Sequence, residues 1–140
     1  MQLLLNLLIN ASKFTPKGKI KLKVEDVSTF NTTRRMKVSV EDSGIGMNKL
    51  QEKNLRDKLK NLDFTQKISE ASSGAGLGLL IGQIVAMALG PAVSTGLKFE
   101  TEFGKGTTFT FVIEDKIPPK KIVKKKRFRK INTEKVHDDD

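Results

Sequence analysis

The stretch QLLLNLLINASK, Gln2 to Lys13, constrains the fold most, because its polar residues sit where an ordinary core helix would not put them. At about 100° per residue of helix, Asn6, Asn10 and Lys13 fall on one narrow strip, with Gln2 beside it. Leu3, Leu4, Leu5, Leu7, Leu8, Ile9 and Ala11 cover nearly all the remaining circumference. The sequence thus predicts a helix wrapped in apolar contacts whose single polar strip meets something specific. Two amides and an ammonium suit a metal-phosphate ligand. The same strip taken alone also fits satisfied core amides or a solvated edge, although Asn gains little from a solvated mid-helix position.

Composition narrows the classes. With 140 residues, 37% of them hydrophobic, the chain can hold one domain with a modest core. The absence of Cys excludes disulfides, thiolate chemistry and thiol zinc sites, and only one His is present. No apolar run reaches the roughly 18 residues of a membrane span and no basic region precedes a cleavable signal, so a cytoplasmic location is expected. The net charge of +10 is uneven: residues 1–115 carry 16 basic and 12 acidic side chains, residues 116–140 carry 10 and 4. A domain over 1–115 followed by a basic tail over 116–140, broken from it at Pro118-Pro119, is the expected organisation. The tail reads as a solvated disordered extension, or alternatively as a localisation signal or a contact to nucleic acid or anionic lipid.

After the first helix, Thr15-Pro16-Lys17-Gly18 predicts a turn. Ile20, Leu22 and Val24 then alternate with lysines as a half-buried strand, and Met36, Val38 and Val40 repeat the period of two beyond a polar loop, predicting an antiparallel hairpin. The second strand runs into Glu41-Asp42-Ser43-Gly44-Ile45-Gly46-Met47. Gly44 and Gly46 allow a tight turn and leave Asp42 pointing over the sheet. An ionised Asp only accepts, so it matches the exocyclic amine of adenine and opposes the carbonyl of guanine. A DxGxG is also, more simply, a turn with a capping Asp.

Asn48 to Leu62 reads as a surface-lying amphipathic helix with Leu50, Leu55, Leu59 and Leu62 as its apolar stripe. Asp63 to Ser73 suggests a loop that could act as a lid. Gly74-Ala75-Gly76-Leu77-Gly78-Leu79 then opens an apolar helix, and glycine-rich backbone entering a helix N-terminus favours anionic phosphates. The pattern is neither a Walker nor a Rossmann motif, and a plain hinge is the alternative. Leu97, Phe99 and Thr101, a turn at Gly104-Lys105-Gly106-Thr107, and Phe109, Phe111 and Ile113 predict two closing strands, with the phenylalanines in the core.

NLLINASKFT, EDSGIGM, GAGLGL and GKGTTFTF, in that order, resemble the four boxes of the ATP-binding catalytic domain of sensor histidine kinases, over about residues 2–113. Each box alone is weak evidence; four in register are strong. The resemblance implies an α+β fold, a two-layer sandwich with a mixed, mostly antiparallel sheet and helices on one face, of the Bergerat type. It implies ATP and Mg²⁺ as cofactors, with Asn10 as metal ligand and Asn6 and Lys13 as catalytic residues reaching the phosphates. Phe14 would lie against adenine, Asp42 would receive its amine, and Gly44 and Gly46 would shape that pocket. Gly74, Gly76, Leu77 and Gly78 would bind at the phosphates and lid hinge, and Thr107 near the adenine-side water network. Lys67 is a further candidate for the γ-phosphate.

In hydrolytic relatives of this superfamily a carboxylate typically stands four residues before the magnesium Asn. Here that position is Asn6, and an amide cannot act as a general base, so phosphoryl transfer to a protein group is favoured over hydrolysis. The implied partners are an acceptor-helix dimer and a receiver domain. The chain opens inside the first box, so the strand and helix start that precede it in the family are expected to be missing. No acceptor helix is present, His137 lies in the polar tail, the segment from Gly90 to Gly104 is long, Pro91 replaces a usual glycine, and only Phe64 is a candidate for the aromatic box. Three readings follow: a two-component kinase module, a nucleotide-binding module without transfer activity, and an interaction protein dominated by its tail.

Overall fold

The computed structural model describes residues 2–28, 33–61, 77–92 and 96–115. Helix α1 spans Gln2–Phe14, strand β1 Ile20–Asp26 and strand β2 Arg35–Asp42. Helix α2 covers Lys49–Lys60, helix α3 Leu77–Leu89, strand β3 Lys98–Glu102 and strand β4 Gly106–Glu114. The strands form one sheet in the order β1-β2-β4-β3, and all three pairings are antiparallel. This is the α+β architecture that the box pattern implies.

Register turns the alternating sequence into two unlike faces. Leu22 pairs with Val40, Val40 with Phe109, and Phe109 with Phe99, making one apolar row across the sheet. One residue along, Lys21, Glu41, Thr108 and Glu100 make a polar row pointing the other way, as the period of two requires. Leu3, Leu7 and Ala11 of α1 and Ala86 of α3 close the core against Val38, Val40, Phe99, Phe109 and Phe111. The helices therefore cover one face of the sheet and leave the other to solvent.

Three expectations about burial need correction. Leu5 and Ile9 are each 54% exposed, because among the described residues α1 packs on its neighbours through Leu3, Leu7 and Ala11, with Leu4 and Leu8 partly buried beside them, and is not wrapped all round. Ile20, Leu22 and Val24 share the core face but lie on an edge strand that the helices leave uncovered, and all three are exposed. In α2, Leu50 points to water while Leu59 is buried, since the inward stripe runs Gln51, Leu55, Leu59 at intervals of four.

Helix α2 starts where the sequence places a strong signal. Asn48 Oδ1 accepts from the Gln51 amide at 2.8 Å while Gln51 Oε1 accepts from the Asn48 amide at 3.0 Å, a reciprocal capping box. Among the described residues no helix is long and apolar enough to cross a membrane. The tail over 116–140 and the candidates Phe64, Lys67, Gly74, Gly76 and His137 lie outside the described residues.

Candidate nucleotide site

Two glycine turns build the floor of the site by packing backbone on backbone. Gly46 has φ +64°, and a Cβ there would run into the Glu102 carbonyl. Gly106 has φ +129°, and a Cβ there would run into the Asp42 carbonyl. Both positions therefore require a residue with no side chain, in left-handed backbone that suits glycine. The Gly104 amide donates to the Ile45 carbonyl at 2.7 Å, and the Ile45 amide to the Phe14 carbonyl at 3.2 Å. The end of α1, the turn after β2 and the turn before β4 are thus bound to one another.

Asp42 sits at the centre of this junction, 7% exposed. Its Oδ1 accepts from the Gly44 amide at 2.9 Å and from the Thr107 amide at 3.3 Å. Among the described residues Oδ2 has no such partner, and Asp42 lines the adjoining cavity. The carboxylate is therefore anchored by one oxygen and can offer the other. Thr107 Oγ1 lies 2.9 Å from Thr101 Oγ1, which donates to the Gly106 carbonyl at 3.3 Å and accepts from the Met47 amide at 3.0 Å. With its one proton spent on Gly106, Thr101 leaves Thr107 as donor in their shared bond, so the Thr107 oxygen keeps acceptor capacity toward the cavity.

The strip on α1 forms a second wall. Asn6 Nδ2 lies 3.5 Å from the Gly78 carbonyl at the start of α3, a contact at the outer limit of hydrogen bonding. Lys13 Nζ stands 5.5 Å from the centre of the Phe14 ring, and among the described residues no carboxylate pairs with it. Thr15 Oγ1, buried beside Gly44, has no hydrogen-bond partner among the described atoms.

These walls enclose a cavity of about 370 Å³. Asn6, Asn10, Lys13 and Phe14 of α1, Asp42, Gly46, Gly78 and Thr107 all line it. Gly44 acts from behind, through its amide on Asp42. Leu77 opens α3, beside Gly78. The cavity is lined by the polar residues of α1, by one carboxylate, Asp42, and by apolar side chains.

Several lining residues escaped the sequence reading. Periodicity puts Ile9 in the apolar wrap of its helix and Gln51 on a surface helix, yet both line the cavity. Ile45, Met47, Leu79 and Phe109 supply its apolar surface. Ile9, Ile45, Met47, Leu79 and Phe109 all lie within the four boxes, so their place in the chain carried a signal, whereas Gln51 lies outside every box and carried none.

The donor set bears on which cations could be held. Among the described residues no group of three His, Cys, Asp or Glu side chains comes together. Asn6 and Asn10 line the cavity, and an amide oxygen is a donor type that suits Mg²⁺, which takes one or two protein ligands and completes its shell with water and phosphate oxygens.

Residues 1–117 match the family described as histidine kinase-, DNA gyrase B- and HSP90-like ATPase. The chain is 35% identical to the sensor histidine kinase AruS of Pseudomonas aeruginosa, over 81% of this chain and 11% of that protein. It is 38% identical to hybrid signal transduction histidine kinase B of Dictyostelium discoideum, over 84% of this chain and 6% of the relative. It is 33% identical to the signal transduction histidine-protein kinase BarA of Escherichia coli, over 87% of this chain and 13% of the relative. The chain thus spans only a small part of the length of these relatives. Among solved structures it resembles full-length ShkA in complex with AMPPNP, with a TM-score of 0.55, 28% identity, and coverage of 80% of this chain and 20% of that one. With its sheet, its glycine turns and this match over nearly all the described residues, the chain belongs to the histidine kinase-like ATPase family.

Proposed function

We propose that this domain binds Mg-ATP and donates the γ-phosphoryl group to a histidine on an acceptor helix outside residues 1–140. The observation that supports it best is the convergence of Asn6, Asn10 and Lys13 of α1 with Asp42 and Thr107 of the sheet around a single cavity. Adenine fits the Asp42 side. Asp42 Oδ2 accepts from the exocyclic amine, Thr107 contributes to the water network around the ring, and Phe14, Ile45 and Met47 cover the ring faces. A guanine carbonyl at the same place would meet a carboxylate oxygen, which selects against it.

The triphosphate then runs along α1 toward the start of α3. Lys13 places a positive charge on it, Asn6 donates to a phosphate oxygen, and Asn10 offers its amide oxygen to the metal. Mg²⁺ held there by Asn10 would supply neutralisation of the triphosphate charge. The chain's own share is positioning and electrostatics, which suffices for phosphoryl transfer because the attacking nucleophile comes from the acceptor. Among the described residues Asp42 is the only carboxylate lining the cavity, and it serves the base end. No carboxylate stands at Asn6 to activate water, which favours transfer over hydrolysis.

Calorimetry with Mg-ATP and Mg-GTP on the full chain tests the binding step. Saturable heat with ATP and a much weaker response to GTP are expected; no saturable heat with ATP would refute the reading. Mixing the chain with an acceptor-helix dimer and γ-labelled ATP tests transfer. Label on the acceptor histidine is expected, and label released only as inorganic phosphate would point to hydrolysis instead.

A further inference from the structure

Helix α3, LGLLIGQIVAMAL, contains one side chain able to form conventional hydrogen bonds, Gln83, and the fold buries it. A polar residue that is 5% exposed in an otherwise apolar helix must be hydrogen-bonded or costly, and Gln83 is bonded at both ends of its amide. Its Nε2 donates to the Leu59 carbonyl at 3.2 Å. Its Oε1 accepts from the Leu97 amide at 2.6 Å. Leu59 lies in the last turn of α2, where carbonyls lack an intrahelical partner. Leu97 immediately precedes β3. One side chain on α3 therefore satisfies a helix end and a strand start that belong to two other elements.

The neighbouring chain is shaped to receive it. Gly96 has φ +77°, and a Cβ there would lie 2.6 Å from Gln83 Oε1 and 2.7 Å from Met87 Cγ. No side chain fits between the amide and the strand start. On its other flank α3 rests against α1, where a Cβ on Gly82 would lie 2.9 Å from Leu3 Cδ1, while Gly78 meets Asn6 at ordinary contact distance. Gln83 is five residues beyond Gly78, so it fixes the helix that carries Gly78 and Leu79 into the cavity. Asp42 and Thr107, by contrast, are held by the sheet and its turns.

We infer that Gln83 is a positioning residue for the phosphate end of the nucleotide site, locking α3 against α2 and β3 so that Gly78 keeps its place opposite Asn6. This rests on the ATP-binding reading above. The base end should be indifferent to Gln83, because none of its hydrogen bonds passes through α3. A role of that kind separates two affinities that ordinary destabilisation would move together.

The experiment measures adenosine and Mg-AMPPNP binding by calorimetry for the full chain and for Gln83→Leu and Gln83→Glu. Leu keeps the approximate size and removes both bonds; Glu keeps the acceptor for the Leu97 amide and removes the donor to Leu59. The expected result is a Mg-AMPPNP affinity lower by about tenfold in Gln83→Leu, the scale of one misplaced hydrogen bond to a charged group, with adenosine affinity unchanged. Gln83→Glu sets a buried carboxylate oxygen against the Leu59 carbonyl and should lose at least as much Mg-AMPPNP affinity as Gln83→Leu. Parallel loss of both affinities, no loss of either, or failure of both variants to fold would make Gln83 a structural residue only and overturn the inference. If the unaltered chain binds neither ligand, the ATP-binding reading itself has failed, an outcome visible before any variant is made.

Discussion

Asp42 and Thr107 face each other across the β2–β4 pairing, and the Thr107 amide donates to Asp42 Oδ1 at 3.3 Å. The Gly44 amide reaches the same oxygen at 2.9 Å. A strand end, a glycine turn and a neighbouring strand therefore agree on the orientation of one carboxylate. Under the proposed function, preorganisation of this kind would let the free oxygen of Asp42 discriminate between bases without a cost of ordering at the moment of binding.

Asp42→Asn tests that contact with little disturbance to the fold, because an amide oxygen at Oδ1 can still accept from Gly44 and Thr107. The group facing the cavity becomes an NH₂ that opposes the adenine amine. ATP affinity should fall by about tenfold to a hundredfold, the value of a hydrogen bond to a charged group, while the urea midpoint stays near its original place. Calorimetry beside denaturation curves checks both. Unchanged ATP affinity would remove Asp42 from the site.

Asn10→Ala addresses the metal. If its amide oxygen is a Mg²⁺ ligand, the variant should lose affinity for ATP in the presence of Mg²⁺ and lose little in EDTA. Titrations of both proteins under both conditions give the comparison directly. Equal losses with and without the metal would mean that Asn10 touches the nucleotide or shapes the helix instead.

How much of this could be read from the sequence depends on whether the signal was local. The turn at Gly44 and Gly46, the hairpin of β1 and β2 and the helix carrying Asn6 and Asn10 all follow from spacing, and the structure forms each of them. Burial did not follow as well. The alternation of Ile20, Leu22 and Val24 correctly gives a strand with one apolar face, but whether anything lies over that face is decided by where the helices sit. The same limit explains Leu50, whose leucine pattern with Leu55 is real in sequence and broken by a 140° difference around the helix. Gln83 shows the opposite failure: one amide in an apolar run gave no hint that it joins two other elements.

Leu7→Ala and Leu5→Ala should diverge sharply although the residues are neighbours of the same type. Leu7 is 1% exposed in the core and Leu5 is 54% exposed on the outer side of α1. Removing Leu7 should cost about 2–5 kcal/mol through lost burial and the cavity left behind. Removing Leu5 should stay within about 0.5 kcal/mol, as for surface changes generally. Urea denaturation of the two variants measures this, and similar losses would mean that α1 is wrapped on all sides after all.

Gly46→Ala should damage both stability and nucleotide binding. The left-handed backbone costs a residue with a side chain about 1–3 kcal/mol, before the collision with the Glu102 carbonyl is relieved. Relief requires the turn over residues 102–106 to move, and that turn leads into Thr107. Weaker ATP binding should therefore accompany a lower urea midpoint. A variant that kept full affinity would show that the two turns are not coupled.

Glu52 supplies a test in acid. Its carboxyl is held below the usual glutamate value, chiefly by the hydrogen bond from Arg56, with the charges of Lys49 and Arg56 assisting and desolvation opposing. Arg56 Nη2 lies 2.9 Å from Glu52 Oε1, and its guanidinium sits 4.4 Å from the Phe99 ring centre, so the pair helps hold α2 on β3. A carboxylate whose folded value is depressed stabilises the fold fully above the unfolded value and loses that contribution as pH falls through the folded one. Glu52→Gln should therefore lower the urea midpoint near neutral pH. The difference from the unaltered chain should shrink as the pH drops below the ordinary glutamate range and vanish once both are protonated or neutral. High salt should shrink it as well, because the pair is only partly shielded from solvent. A midpoint difference that stayed constant from neutral pH into acid would show that the substitution acts through packing and not through charge.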